Sequence, residues 1–256
     1  MRHAVLVIGF FALCVSGSGA ANEIRVMSPG VIANSGLREV AAAFTKKTGI
    51  TVTVVPKGMG QIVNDFKTTT PVADMVMLPM DLMGTLALAH GIKPGSFTPL
   101  GRVEIGLFKA AGAPVPDIST VEKTVAVMKA ASVVMYSDPA GGSRQAFLSA
   151  QLLKRPEFAG VKGQAVMGDA EPALKRGDGG PTALGLGLIH GVHPRGQATE
   201  NANLAGPLPP ELGMYMDMAT AIHVKSANAK DAESFIAFML SPEVAAIWAS
   251  MGTDRY

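Results

Sequence analysis

The chain has 256 residues, enough for one large domain or two lobes of about 100–150 residues each. Only 16% of them are charged and 48% are hydrophobic, with 29 glycines and 17 prolines, which excludes a disordered chain or a coiled coil. The 22 basic and 20 acidic residues give a net charge of +2 with no long basic run, so nucleic-acid binding has no electrostatic footprint, and the single cysteine, Cys14, excludes a Cys-based zinc site or an internal disulfide.

Residues 1–21 read as a secretory signal peptide. Arg2 and His3 form a basic start, and Ala4 to Val15 is an apolar run too short to span a bilayer of about 30 Å. The small residues from Ser16 to Ala21 follow, with Ala20 and Ala21 as cleavage positions. Leu13 before Cys14 argues against a lipoprotein. Removal of the leader takes the one cysteine with it. A cysteine-free exported chain of this size suits a bacterial periplasm, because a large core makes disulfides dispensable.

From the end of the leader to about residue 80 the chain alternates between the two periods. Ile24–Met27 is a strand ended by Ser28-Pro29-Gly30. Leu37, Val40, Ala41 and Phe44 fall at helical spacing, and Gly49 stops that helix behind Lys46-Lys47. Ile50–Val55 is a strand broken by Gly58-Met59-Gly60, a helix starts near Gln61, and Ala73–Leu78 is a third strand. This order predicts an α/β fold with a parallel sheet covered on both faces. Further on, Val103–Phe108 is a strand, and Ser119 or Thr120 caps a helix over 121–131. Val133–Tyr136 is a strand, and Ser137-Asp138-Pro139-Ala140-Gly141-Gly142-Ser143 leads into a helix ending near Leu153. Ala183–Ile189 and Ala219–Val224 read as strands, and Ala229–Met251 as two helices, the second capped by Ser241.

Three of these junctions sit where open α/β sheets bind ligands. The turns Ser28-Pro29-Gly30, Gly58-Met59-Gly60 and Ala140-Gly141-Gly142-Ser143 each follow the carboxyl end of a strand and precede a helix. Helix N-termini there present N–H groups and partial positive charge to an anion.

The series of motifs resembles the periplasmic molybdate-binding-protein-like family of solute-binding proteins. It is carried by Ile24–Gly30, Leu37–Phe44, Thr48-Gly49-Ile50 and Ala73–Met77. It continues through Gly112–Pro114, Pro116–Ser119, Tyr136–Ala140 with Gly141-Gly142, Gly206–Pro209 with Glu211-Leu212, and Phe238–Glu243. The resemblance implies a two-lobe type II periplasmic binding protein fold with the ligand cleft between lobes. Mapped onto this chain, lobe one takes 22–104 plus 216–256 and lobe two 105–215, with crossovers near Val103–Gly106 and Met214–Asp217. It further implies that Ser28 and the Gly58–Gly60 turn are lobe-one donors and the Ala140–Ser143 turn the lobe-two donor. Tyr136 and Asp138 are either donors or structural residues.

Members of the family that bind molybdate tend to carry a serine-rich stretch where Lys57-Gly58-Met59-Gly60 stands here. Met59, Met77, Met80 and Met83 point to a partly apolar lining or to core. Arg144, with Arg102 and Lys57 behind it, is a candidate for bidentate or ionic pairing with a ligand carboxylate. These residues favour an organic carboxylate over a tetrahedral metal oxyanion. No metal site or cofactor is expected: His190 and His193 lie in a loop without an acidic neighbour, His90 reads as a helix C-terminal residue, and there is no G-x-S-x-G motif. The expected function is a monomeric periplasmic binding protein that delivers a small anion to an inner-membrane ABC permease. A periplasmic aconitate isomerase on the same scaffold, with Asp138, Glu104 or a hydroxyl as base, and a receptor-coupled sensor are the alternatives.

Overall fold

The computed structural model describes residues 23–67, 72–189 and 203–251, and the backbone of 254–255. The leader segment and the His190/His193 pair lie outside the described residues. In chain order the first elements are β1 (Glu23–Ser28), α1 (Gly30–Ile32), α2 (Arg38–Thr48), β2 (Thr51–Pro56), α3 (Met59–Phe66), β3 (Met75–Pro79) and α4 (Met80–Leu88). Then come β4 (Thr98–Lys109), α5 (Val121–Ala130), β5 (Val134–Ser137), α6 (Arg144–Leu153), β6 (Gly163–Val166), α7 (Ala170–Lys175) and β7 (Leu184–Leu188). The chain ends with β8 (Leu204–Pro207), β9 (Tyr215–Ile222), α8 (Ala229–Leu240), α9 (Ala245–Ser250) and β10 (Asp254–Arg255).

One long strand serves two sheets. Residues 98–104 of β4 pair with β9 in a sheet ordered β2-β1-β3-β9-β4, with β10 on the far side of β4. Residues 105–109 of the same strand pair with β7, and 106–108 with β8, in a second sheet that continues through β5 and β6. Where the chain returns towards the first sheet, the Ile105 N–H donates to the Met214 carbonyl at 2.8 Å. The molecule is therefore two α/β lobes hinged on paired strands.

Strand alternation builds a core on each face of each sheet. In the first lobe, Val26, Met75 and Met77 face α2, α8 and α9 through Val40, Phe44, Phe235 and Trp248. Their neighbours Met27, Val76 and Leu78 face α3 and α4 through Ile62, Phe66, Met83 and Leu86. In the second lobe, Ile105, Leu107 and Leu186 pack with Met128, Leu152 and Phe158, while Phe108 and Met135 pack with Ala170 and Leu174 of α7.

Several boundaries differ from the sequence reading. The sheets are mixed rather than all parallel, because β9 runs antiparallel to both β3 and β4. β4 begins at Thr98, before the run of apolar residues, and accommodates Pro99-Leu100-Gly101 with a shift in register. The short strands β6 and β8 and the six-residue α7 have no counterpart in the sequence reading, while α4 is signalled there only by His90, just past its C-cap Ala89. Thr120 caps α5, accepting from the Lys123 N–H at 3.3 Å. Ser241 does not cap the last helix; its hydroxyl donates back to the Phe238 carbonyl at 2.8 Å and closes α8 instead.

Candidate functional site

The carboxyl ends of β1 and β2 and the carboxyl ends of β5, β6 and β7 meet around one cavity of about 430 Å³. The first lobe contributes Pro29, Gly30, Val31 and Asn34 from the β1 turn and Lys57, Gly58 and Met59 from the β2 turn. The second contributes Gly141, Gly142 and Ser143 before α6, Gln145 within it, and Asp169 and Glu171 at the start of α7. Phe108 with Gly187 and Leu188 forms an apolar patch from β4 and β7. Gly187 is required there, since a Cβ would stand 2.9 Å from the Phe108 ring.

Local backbone chemistry sets each turn. Pro29 is extended at the N-cap, and its carbonyl accepts from the Ile32 and Ala33 N–H groups at 3.1 Å. The helix continues into Ala33–Leu37, where Ser35 and Gly36 leave helical geometry, Gly36 at φ +110°. Asn34, just before this kink, lines the cavity. The Lys57 N–H donates to the Ser28 carbonyl at 3.0 Å and ties the two first-lobe turns together. In the second lobe, Asp138 accepts from the Ala140 N–H at 2.9 Å, and Gly142, in the left-handed region, redirects the chain into α6.

Four helical stretches begin at this cavity; α7 starts behind Asp169, and the other three, α1, α3 and α6, have uncharged N-cap residues. Pro29, Gly58 and Ser143 occupy their N-caps, and none of the three gives a side-chain cap bond. The N–H groups of Gly30 and Val31 and the first-turn N–H groups of α3 and α6 are thus left for solvent or a ligand, while that of Ile32 is taken by the Pro29 carbonyl.

The cations near the cavity are paired. The Lys57 ammonium contacts Asp65, Lys175 lies 2.5 Å from Glu171 Oε1, and Arg144 lies 2.9 Å from Asp81. Shifted titrations occur away from the site. The Lys123 ammonium beside Asp117 holds that carboxyl well below the usual carboxylate range, and backbone hydrogen bonding lowers Glu122.

Eight of the sequence candidates, Pro29, Gly30, Lys57, Gly58, Met59, Gly141, Gly142 and Ser143, come together here. Ser28, Gly60, Ala140 and Arg144 do not line the cavity. Ser28 is fully buried beneath it, its hydroxyl directed at the Pro29 carbonyl. Arg144 is turned aside because Asp81, at the start of α4, offers a carboxylate; the two line a smaller cavity of about 220 Å³ with Tyr215 and Asp217. Arg102 is held by Asp217, Nε to Oδ1 at 2.7 Å and Nη2 to Oδ2 at 3.2 Å, with its guanidinium 3.6 Å from the Tyr215 ring centre. Asp138 is a turn residue, and Tyr136 packs on the second-lobe core. Met77 and Met83 are core.

Sequence reasoning missed Asn34, Gln145, Asp169 and Glu171. Asp169 follows β6, a four-residue strand with an exposed pattern that gives no periodic signal; Asp169 as an N-cap residue with Glu171 in the following turn was the available cue. Among the described residues no group of three or more His, Cys, Asp or Glu side chains is placed to hold a metal ion.

The family model for bacterial extracellular solute-binding proteins matches residues 24–254. The chain is 26% identical over 253 residues to an aconitate isomerase from Pseudomonas sp, covering 95% of this chain and 93% of that one. Its fold is similar to a substrate-binding domain described as that of a molybdenum ABC transporter from Clostridium difficile, with a TM-score of 0.68 and 12% identity over 91% of this chain and 99% of that chain. The periplasmic molybdate-binding protein of Azotobacter vinelandii superposes with a TM-score of 0.65 and 17% identity over 90% of this chain and 98% of that one. With its two hinged α/β lobes and the cavity between their strand ends, the chain belongs to the bacterial extracellular solute-binding protein family.

Proposed function

We propose that this chain is a periplasmic solute-binding protein that captures a small anion, an organic carboxylate or an oxyanion, and hands it to an inner-membrane ABC permease. In this reading residues 1–21 are the export leader, and the lobes are 22–104 with 216–256, and 105–215. The observation that carries the proposal is the convergence of three helix N-termini from both lobes, none closed by its own cap side chain, on one cavity. Dipolar N–H groups hold an anion in a site that closes around it without requiring a buried counter-charge. Lobe closure about β4 and β9 is the working motion. Isothermal titration of the chain lacking residues 1–21 against molybdate, sulfate and a series of small carboxylates tests the proposal. Binding at micromolar or tighter affinity to at least one is expected, and no binding to any of them overturns it.

The second reading, an aconitate isomerase, rests on the 26% identity that spans nearly the whole chain. Among the groups first considered as base, Asp138 is committed to its turn and Glu104 does not line the cavity. Asp169 does line it and is the carboxylate available for proton transfer. Following trans-aconitate by ultraviolet absorbance decides this reading. Isomerisation lost in Asp169→Asn supports it, and no turnover by the parent chain removes it.

A further inference from the structure

The cavity has a charge distribution that bears on its ligand. Lys57, Lys175 and Arg144, the cations in or beside its wall, are each matched by a carboxylate: Asp65, Glu171 and Asp81. Asp169 is different. It occupies the N-cap of α7, where a carboxylate ordinarily bonds its own helix, yet it makes no side-chain cap bond. Its carboxylate takes a hydrogen bond from the Ser137 hydroxyl at 3.4 Å. Ser137 in turn accepts from Gln145 Nε2 at 3.4 Å, and Ser137 and Gln145 are both buried. An amide nitrogen only donates and a hydroxyl has one proton, so this chain runs in one direction and ends with Asp169 as acceptor. The cavity therefore presents N–H donors from the N-termini of α3 and α6 and one carboxylate that has no cationic partner among the described residues.

We infer that Asp169 is the specificity-determining residue of this site: it repels bare oxyanions and selects a small carboxylate that also carries a hydroxyl or ammonium donor. The ligand's carboxylate takes the helix N–H groups, and its donor takes Asp169. A tetrahedral oxyanion without a proton to give meets an unpaired like charge, which is selection by repulsion. The inference rests on the anion-binding reading and narrows its ligand class.

The test is isothermal titration of the parent chain, Asp169→Asn and Asp169→Ser with sodium molybdate, sodium sulfate and matched acid pairs: propionate with lactate, and succinate with malate and with aspartate. Asp169 is exposed, so both variants are expected to melt with the parent. Affinity for molybdate or sulfate is expected to rise at least tenfold in both variants. In any pair the parent binds, the donor-bearing acid is expected to bind at least tenfold tighter, and the Asn variant to narrow that gap. Molybdate or sulfate bound by the parent as tightly as by the variants overturns the inference, as does a parent that does not distinguish succinate from malate or aspartate. Failure of the anion-binding reading looks different: neither the parent nor either variant binds any of these anions.

Discussion

Gly36 bears more of the site than its lack of a side chain implies. It stands at φ +110°, and a Cβ there would lie 2.9 Å from the Trp248 ring, so an added methyl meets backbone strain and overpacking together. Each of these costs about 1–3 kcal/mol. Gly36→Ala is expected to destabilise the chain by about 2–4 kcal/mol and lower Tm by roughly 5–15 °C for a chain of this size. Trp248 is the only tryptophan, buried and donating Nε1–H to the Met239 carbonyl at 3.0 Å, so its emission reports the disturbance directly. Gly84 is the control. It is exposed within α4, has no positive φ and meets nothing within 4 Å, so Gly84→Ala is expected to raise stability by about 0.4–1 kcal/mol. Thermal melts of the two variants with opposite signs confirm that Gly36 serves the kink; equal effects refute it. Asn34, which lines the cavity, lies two residues before Gly36.

Helix ends divide into those that stabilise and those kept for a ligand. Thr120 closes α5 with its side chain, whereas Ser143 at the head of α6 makes no such bond. Thr120→Ala is expected to cost about 1 kcal/mol and leave ligand affinity unchanged. Ser143→Ala is expected to change stability by less than about 0.5 kcal/mol and to weaken anion binding. Denaturant titration beside calorimetry separates the two, and a large stability loss in the serine variant assigns it to capping. This division also explains what the sequence disclosed. The strand–helix junctions at Gly30, Gly58 and Ser143 were legible because each joins a strong apolar strand to a periodic helix. β6 and α7 were not, being four and six residues long, so Asp169 and Glu171 stayed hidden. Arg144 misled for another reason: sequence marks a cation at a helix start, but its partner Asp81 lies 63 positions away, on a helix that only the fold brings near. The long β4 shows the same limit, since Thr98-Pro99-Leu100-Gly101 reads as loop until β9 supplies its partners.

At the scale of the whole molecule, the pair that removes Arg144 from the ligand list joins the two lobes. Asp81 begins α4 beside the first sheet and Arg144 begins α6 beside the second, so their 2.9 Å contact spans the hinge region next to Arg102, Asp217 and Tyr215. Both side chains are partly exposed, at 36% and 51%, and such pairs contribute about 0–1 kcal/mol. A contact that exists only when the lobes are together shifts their equilibrium by at most that amount, a factor of about five. Arg144→Gln and Asp81→Asn are therefore expected to speed ligand release by the same factor, up to about fivefold, with little change in association rate. The difference is expected to vanish near 1 M salt, where screening acts within about 3 Å. Stopped-flow binding at two ionic strengths measures it. A guanidinium that instead gripped the ligand's carboxylate contributes about 1.5–3 kcal/mol, so its loss slows capture or speeds release by ten- to a hundredfold. In that case Asp81→Asn, which frees Arg144, tightens binding rather than loosening it. Equal, modest and salt-sensitive effects in both variants identify an interlobe tie, and opposite effects return Arg144 to the binding site.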